Sequence, residues 1–368
     1  MTWGEVRMRR RLSGPPRRIV LIKAHSAGVG DILRSSAAWA TLKKRWPDAE
    51  LHLIFLTRWP GYPSESLIAG HHLLRSAHFL PLREGRWLGM RGVGPTGWRT
   101  LLPELRRLAQ KIRPDLIIDH EPHGLESTVA TRILRAYSPG AVTVGVAQVP
   151  GRGALYDMAG PSFGRYAKER GLPDPMDYTH RDFAALAALG LERDGQGIVL
   201  KVGPEGRAWQ SAHPRLPGEW RIGLNIGCGT PDALPKRPDL DLLVEALNPS
   251  AFPQSFSLWL TGAANEAEIN DEFLRRYRQR WGDAVPLHNL AGAGSLVLLT
   301  GIIASCDVFL SSDSGPYHMA VGLGKATMAL FRWANPEHYH VAAGLKVLVD
   351  PSAKQISDAL HCLLPLPE

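Results

Sequence analysis

Cysteine is scarce in this chain: there are three, Cys228, Cys306 and Cys362, scattered and odd in number. That pattern excludes a disulfide framework and a cysteine metal knuckle. Long apolar runs are missing as well. None approaches the roughly 20 residues that a bilayer-crossing helix needs, and the apolar stretch behind the basic N-terminus, Ile19 to Ile22, is too short for a signal-peptide core. A cytoplasmic protein is expected. No G-x-G-x-x-G pattern follows the first strand, which discounts a nicotinamide cofactor. No repeat of solenoid period is visible, and no RNA- or DNA-binding motif accompanies the basic residues, so nucleic acid is not an expected partner.

What is present is a globular composition, 44% apolar and 21% charged, which leaves no signature of disorder. Its 368 residues are enough for two domains of ordinary size. The formal charge of +8 points to an anionic partner. Arginine is concentrated at the start, at Arg7, Arg9, Arg10, Arg11, Arg17 and Arg18, and again with tryptophan in Leu80–Arg99. The second stretch has no convincing period and reads as a long surface loop. Both basic segments are candidates for peripheral contact with an anionic membrane surface at its inner face.

Residues Arg18–Lys23 are continuously apolar but for their ends, the mark of a strand buried on both faces. AHSAGVGD follows, then helical periodicity from Ile32 to Trp46, stopped by Pro47, then a strand at Glu50–Leu56. Asp31 thus lies where the first strand of a βαβ unit hands over to its helix, on the edge of a parallel sheet where ligands bind. Further strands are expected at Asp115–Asp119 and Val142–Val146, and helices at Thr100–Lys111 and Tyr178–Leu189. His120, Glu121 and His123 are metal-ligand types, yet their spacing is not that of a metalloprotease helix, and loop residues without a metal are expected. The Gly- and Pro-rich stretch from Pro150 to Asp177 is expected to cover the mouth of the domain.

Gly203–Trp220, with several glycines and prolines and no strong period, reads as a linker. The pattern then restarts with strands at Arg221–Ile226, Phe256–Leu260 and Leu287–Leu290 and helices at Asp239–Leu247 and Ser295–Ala304. In CDVFLSSDSGPYHMAVGLGKAT (306–327) the run Val308–Leu310 breaks at Ser311–Gly315, and a helix opens at Pro316. Asp313 or Ser314 suits the cap and Pro316 the first helical position, and the helix start is a site for phosphate. His318 lies inside the first turn, close to any such ligand. Gly227 and Gly229 allow close backbone approach, Thr230 offers a hydroxyl, Lys236 a point charge for phosphate, and Glu266 an acceptor for a ribose diol. Together these residues make a nucleotide-diphosphate site.

In their order these residues resemble glycosyltransferase family 9, the ADP-heptose heptosyltransferases of lipopolysaccharide core synthesis. The most specific match is D-S-G-P-x-H-x-A at Asp313–Ala320, similar to the D-[ST]-G-x-x-H motif of that family. WLTGAANEAE, the glycine loop with Lys236, and VLIKAHSAGVGDIL extend it. The resemblance implies an α/β, GT-B fold, two Rossmann-like domains facing a central cleft: residues 1–205 binding the acceptor and 206–368 the donor. It implies an inverting transferase with no cofactor and no metal, using a nucleotide sugar, ADP-heptose, on a lipopolysaccharide core or related glycan or glycolipid. It places Asp31 as general base, Lys236 at the donor phosphates, Glu266 at the ribose, and Asp313 as the motif aspartate, with Ser314 and Gly315 offering N–H groups to the diphosphate. A non-catalytic sugar-nucleotide-binding protein, or a family member with a different donor or acceptor, is the alternative.

Overall fold

A computed structural model of the chain describes residues 10–25, 28–87, 90–121, 123–229 and 231–365. By its internal contacts the chain divides into two units, Met1–Gln196 and Gly197–Glu368. Each is built on a six-stranded parallel sheet, and the two sheets share one pattern.

The first unit has strands β1 (Arg18–His25), β2 (Glu50–Thr57), β3 (Ser76–Pro81), β4 (Glu84–Trp87), β5 (Met90–Val93), β6 (Leu116–Asp119), β7 (Val142–Val146) and β8 (Met158–Gly160). Its helices are α1 (Val29–Leu33), α2 (Ser36–Arg45), α3 (Ser64–Ala69), α4 (Pro95–Ile112), α5 (Glu126–Ala136), α6 (Phe163–Arg170) and α7 (Tyr178–Leu186). The sheet order is β3-β2-β1-β6-β7-β8, and β4 and β5 form a separate antiparallel hairpin. Ile19 to Ile22 in β1 are wholly buried, as a central strand covered on both faces must be.

The second unit has β9 (Trp220–Asn225), β10 (Phe256–Leu260), β11 (Leu287–Asn289), β12 (Val308–Ser312), β13 (Ala326–Phe331) and β14 (Leu345–Val349), ordered β11-β10-β9-β12-β13-β14. Its helices are α8 (Pro204–Ala212), α9 (Leu240–Ala246), α10 (Ala267–Trp281), α11 (Leu296–Ser305), α12 (Gly315–Gly322) and α13 (Ala353–Leu363). In both sheets the chain runs outward from a central strand to one edge, then returns beside that strand and runs to the other edge. The reversal falls between β1 and β6 in one unit and between β9 and β12 in the other. Ligands of open parallel sheets sit at the carboxyl end of such a switch point.

Several sequence expectations change. The helix expected from Ile32 to Trp46 is two helices, because the chain tightens at Arg34–Ser35, where the Ser35 N–H reaches the Ile32 carbonyl at 3.1 Å. Both pieces bury apolar side chains, so the apolar rhythm runs through the break. Leu80–Arg99 is not a loop: it holds the end of β3, the β4–β5 hairpin and the start of α4, which Pro95 opens. The stretch read as a linker contains α8, which lies against α11. Paired glycines allow this, since a Cβ on Gly206 would come 2.6 Å from the Gly301 nitrogen and one on Gly301 2.2 Å from the Gly206 carbonyl oxygen. Between Pro150 and Asp177 the chain adds edge strand β8 and helix α6, so this stretch is part of the framework.

Candidate functional site

At the β9/β12 switch point the loops are tied to one another by side chains. Ser314 Oγ donates to Asn225 Oδ1 at 3.0 Å, Ser312 Oγ donates to the Gly227 carbonyl at 2.9 Å, and Cys228 Sγ lies 3.3 Å from Ser312 Oγ. Glu266 is buried and holds the glycine loop by both oxygens: Oε1 accepts from the Gly229 N–H and Oε2 from the Ala263 N–H, each at 2.7 Å. Gly229 adopts φ +67°, in the left-handed region that favours glycine. Gly227 has a different reason to lack a side chain. A Cβ there would stand 1.9 Å from Glu266 Oε1, so the glycine makes room for the carboxylate itself.

Lys236 Nζ donates to Asp313 Oδ2 at 2.8 Å, and His338 Nδ1 is 2.9 Å from the same oxygen and 3.0 Å from Oδ1. Burial pushes the Asp313 carboxyl up, but the hydrogen bonds from His338 and Lys236 outweigh it and hold the group below the usual carboxylate range. Asp313 therefore does not cap α12. Ser314 occupies the cap position, but its side chain makes no capping bond because it is engaged with Asn225. Helix α12 begins at Gly315, so Pro316 is its second residue and not its first. His318 is buried, with Nδ1 2.7 Å from His340 Nε2, a contact between distant residues that no local pattern signals. Thr230 lies outside the described residues. The structure thus brings Gly227, Gly229, Lys236, Glu266, Asp313, Ser314 and Gly315 to the ends of three neighbouring strands.

At the β1/β6 switch point is a cavity of about 250 Å³ lined by Asp31, Lys23, Arg34, Phe55, His120, Glu121, His123, Tyr178, Arg181 and Asp182, among others. Asp31 stands in the first turn of α1, whose cap position is Gly28, and the helix starts three residues before the expected Ile32. Its carboxylate is 48% exposed and lies 3.6 Å from Nη1 of the buried Arg34. Lys23 Nζ donates to the Asp31 carbonyl at 3.0 Å and is 3.5 Å from Asp182 Oδ1. Arg34 and Arg181 both lie against the ring of Tyr178, at 4.7 and 4.0 Å from its centre.

Behind the cavity, buried Asp119 at the end of β6 accepts from Arg152 Nη2 at 3.1 Å and from the Tyr156 hydroxyl at 2.6 Å. It also takes the Glu121 N–H at 3.0 Å, which fixes the course of the loop. Burial pushes the Glu121 carboxyl up to about 7, against the pull of Lys23 and with the help of Asp119 and Asp182. Burial pushes His120 down to about 4, against Asp182. Among the described residues no group of His, Cys, Asp and Glu is arranged to hold a metal ion. The sequence pointed to His120, Glu121 and His123 without a role. Asp182, Tyr178 and Arg181 on α7 carried no signal, since only the fold brings a helix that distant in sequence to the end of β1.

Parts of the chain are similar to known proteins. Residues 251–363 match the model of glycosyltransferase family 9 (heptosyltransferase). A stretch of 116 residues is 31% identical to lipooligosaccharide heptosyltransferase 2 of Campylobacter jejuni, covering 31% of this chain and 34% of that protein. The chain thus spans about a third of the length of the curated relative it matches. The structure of E. coli ADP-heptose LPS heptosyltransferase II superposes with a TM-score of 0.63 at 17% identity, over 94% of this chain and 98% of that one. A family 9 glycosyltransferase from Veillonella parvula gives 0.65 at 15% identity, over 94% and 97%. At such identities these two likenesses speak to the fold, which is α/β of the GT-B class in both units. The match to glycosyltransferase family 9 lies within the second unit, over residues 251–363.

Proposed function

We propose that the chain is an inverting, metal-independent glycosyltransferase that moves a sugar, heptose from ADP-heptose, to a lipopolysaccharide core or a related glycan or glycolipid. The observation that carries this reading is the convergence of the Gly227 loop, Glu266, the Lys236–Asp313 pair and the start of α12 at one switch point of the unit that matches the family. In this reading Lys236 and the N–H groups at Ser314 and Gly315 receive the diphosphate. Two of the relatives described above are named as heptosyltransferases, one of them for ADP-heptose.

Inversion needs a base on one face of the sugar and stabilisation of the leaving nucleotide on the other. Asp31 takes the proton of the acceptor hydroxyl as the new C–O bond forms and the bond to ADP breaks. Its half-exposed carboxylate can reach an incoming hydroxyl, and Arg34 steadies it. The test is release of ADP from ADP-heptose by the purified protein with lipopolysaccharide-core acceptors, with the product anomer read by NMR. Absence of ADP binding would sink the donor assignment, and a retained anomeric configuration would sink inversion.

We further propose that the protein works in the cytoplasm beside an anionic membrane surface that carries its acceptor. No described helix is long and apolar enough to cross a membrane. Part of the basic N-terminus lies outside the described residues. Binding to anionic vesicles should fall steeply with salt. Equal binding to neutral and anionic vesicles at low salt would remove this contact.

A further inference from the structure

The cavity at the β1/β6 switch point has more polar machinery than a lone base requires. Asp182 is buried, its Oδ1 faces Lys23 at 3.5 Å, and its Oδ2 has no hydrogen-bond partner. His120 is also buried: its Nδ1 lies 3.6 Å from Asp182 Oδ1, and neither ring nitrogen has a partner within hydrogen-bond distance. Buried polar groups are nearly always satisfied, so unpaired ones on a cavity wall mark a place where something binds. We propose that Asp182, His120 and Glu121 form a subsite for the hydroxyl groups of one uncharged sugar ring of the acceptor.

This inference rests on the transferase reading above and names the class of group its acceptor presents. Volume supports it: 250 Å³ is the space of about eight waters at their liquid density, enough to seat a single ring. Charge supports it too. Asp31 and Asp182 stand against Lys23 and Arg34, and Glu121, about half protonated near neutrality, offsets part of Arg181, so the walls carry no strong charge of either sign. Hydroxyls suit the unpaired atoms, because each can donate to Asp182 Oδ2 and accept from a ring N–H of His120. With burial pushing Glu121 up to about 7 and His120 down to about 4, the first holds a proton to donate near neutrality and the second stays an uncharged donor and acceptor.

The experiment is saturation-transfer NMR on the full chain with the methyl glycosides of mannose, glucose and galactose, and with methyl glucuronide as the charged counterpart. The expected result is transfer to at least one uncharged glycoside and none to the glucuronide. Asp182→Asn, which keeps size and one acceptor, should weaken that signal at least about tenfold, the cost of losing a charged hydrogen bond. His120→Gln should weaken it as well. Calorimetry with ADP-heptose on the same samples checks folding and the second unit separately. Silence with every uncharged glycoside, binding of the glucuronide alone, or transfer unchanged in both variants overturns the subsite. Loss of ADP-heptose binding in the wild type would overturn the transferase reading while leaving the subsite standing.

Discussion

Lys236 and Asp313 meet at 2.8 Å, so the lysine assigned to the donor phosphates already has an anionic partner. An ammonium has three donors, and one spent on Asp313 leaves two for a diphosphate. His338, on the same carboxylate, keeps Asp313 paired if the lysine swings away. Two charges that share one partner in this way predict opposite failures.

Lys236→Ala should weaken ADP and ADP-heptose alike, by about 1.5–3 kcal/mol for a charge-assisted contact. Asp313→Asn should leave ADP affinity intact or improved, since it removes the competing anion, while weakening ADP-heptose if the carboxylate meets sugar hydroxyls. Calorimetry with both ligands on both variants decides. Unchanged ADP affinity in Lys236→Ala would remove the diphosphate from this loop.

The same pair sets a response to acid. Asp313 is held below its ordinary value in the fold, so the stability it contributes is present above the unfolded value of about 3.9 and is lost as pH falls through the folded one. In Lys236→Ala, with burial less opposed, the folded value moves back up toward the unfolded one, so less of that stability is there to be lost. Urea midpoints between about pH 3 and 6 should therefore separate the variant from wild type most at the upper end of the window and draw together toward acid.

Asp31→Asn should lower turnover by roughly 100-fold or more, the scale of general-base catalysis, with ADP-heptose affinity nearly unchanged. A capping role for Asp31 is removed by the structure, because Gly28 holds the cap position. Single-turnover ADP release beside donor calorimetry measures both quantities, and an active Asn variant would take Asp31 out of the reaction.

How much of this was legible in the sequence follows from range. Strands β1, β7, β10 and β12 announced themselves as short apolar runs, and the turn at Asp313–Gly315 as a break before a helix. These are local signals. The β4–β5 hairpin was missed because its Arg, Trp and Gly residues carry no apolar alternation, and α8 because the glycine that lets it approach α11 looks like a linker residue. Asp31, Lys236 and Glu266 stood out through the resemblance, yet not the Asp313–Lys236 pair, the His318–His340 contact or the approach of Asp182 to His120. Each of those joins residues from different elements, and only the folded sheet brings them together.

Glu121 and His120 are neighbours displaced in opposite directions, 4.5 to about 7 and 6.5 to about 4. Facing them are Lys23 on β1, Asp119 on β6, Arg152 in the turn after β7, and Asp182 on α7, with Asp31, Arg34, His123, Tyr178 and Arg181 around the cavity. For Glu121 the fold binds a proton the unfolded chain releases, so stability falls as pH rises from 4.5 to about 7. For His120 the unfolded chain binds a proton the fold refuses, so stability rises from about 4 to 6.5. The two nearly cancel across their shared window. Glu121→Gln should uncover the histidine, giving a protein that gains on the order of 3 kcal/mol from acid to neutral pH, and His120→Gln should show the reverse slope. Chemical denaturation of wild type and both variants across that window measures it, and parallel curves for all three would refute the opposition.

At the proposed donor site, Gly227 leaves the room that Glu266 occupies. A Cβ on residue 227 would stand 1.9 Å from a carboxylate oxygen that cannot simply swing aside, because its two oxygens hold the N–H groups of Gly229 and Ala263. Gly227→Ala should therefore break those bonds, loosen the glycine loop and weaken ADP-heptose binding by about 1–3 kcal/mol, the cost of leaving buried polar groups unpaired. Glu266→Ala should cost a similar amount by removing the same bonds outright. The two changes destroy one arrangement, so the double variant should be scarcely worse than either single one, an interaction energy of about 1–3 kcal/mol in a double-mutant cycle. Calorimetry with ADP-heptose on the four proteins reads it directly. Simple additivity would mean that Gly227 serves the ligand by itself, as the bare motif suggests, and not by giving Glu266 its place.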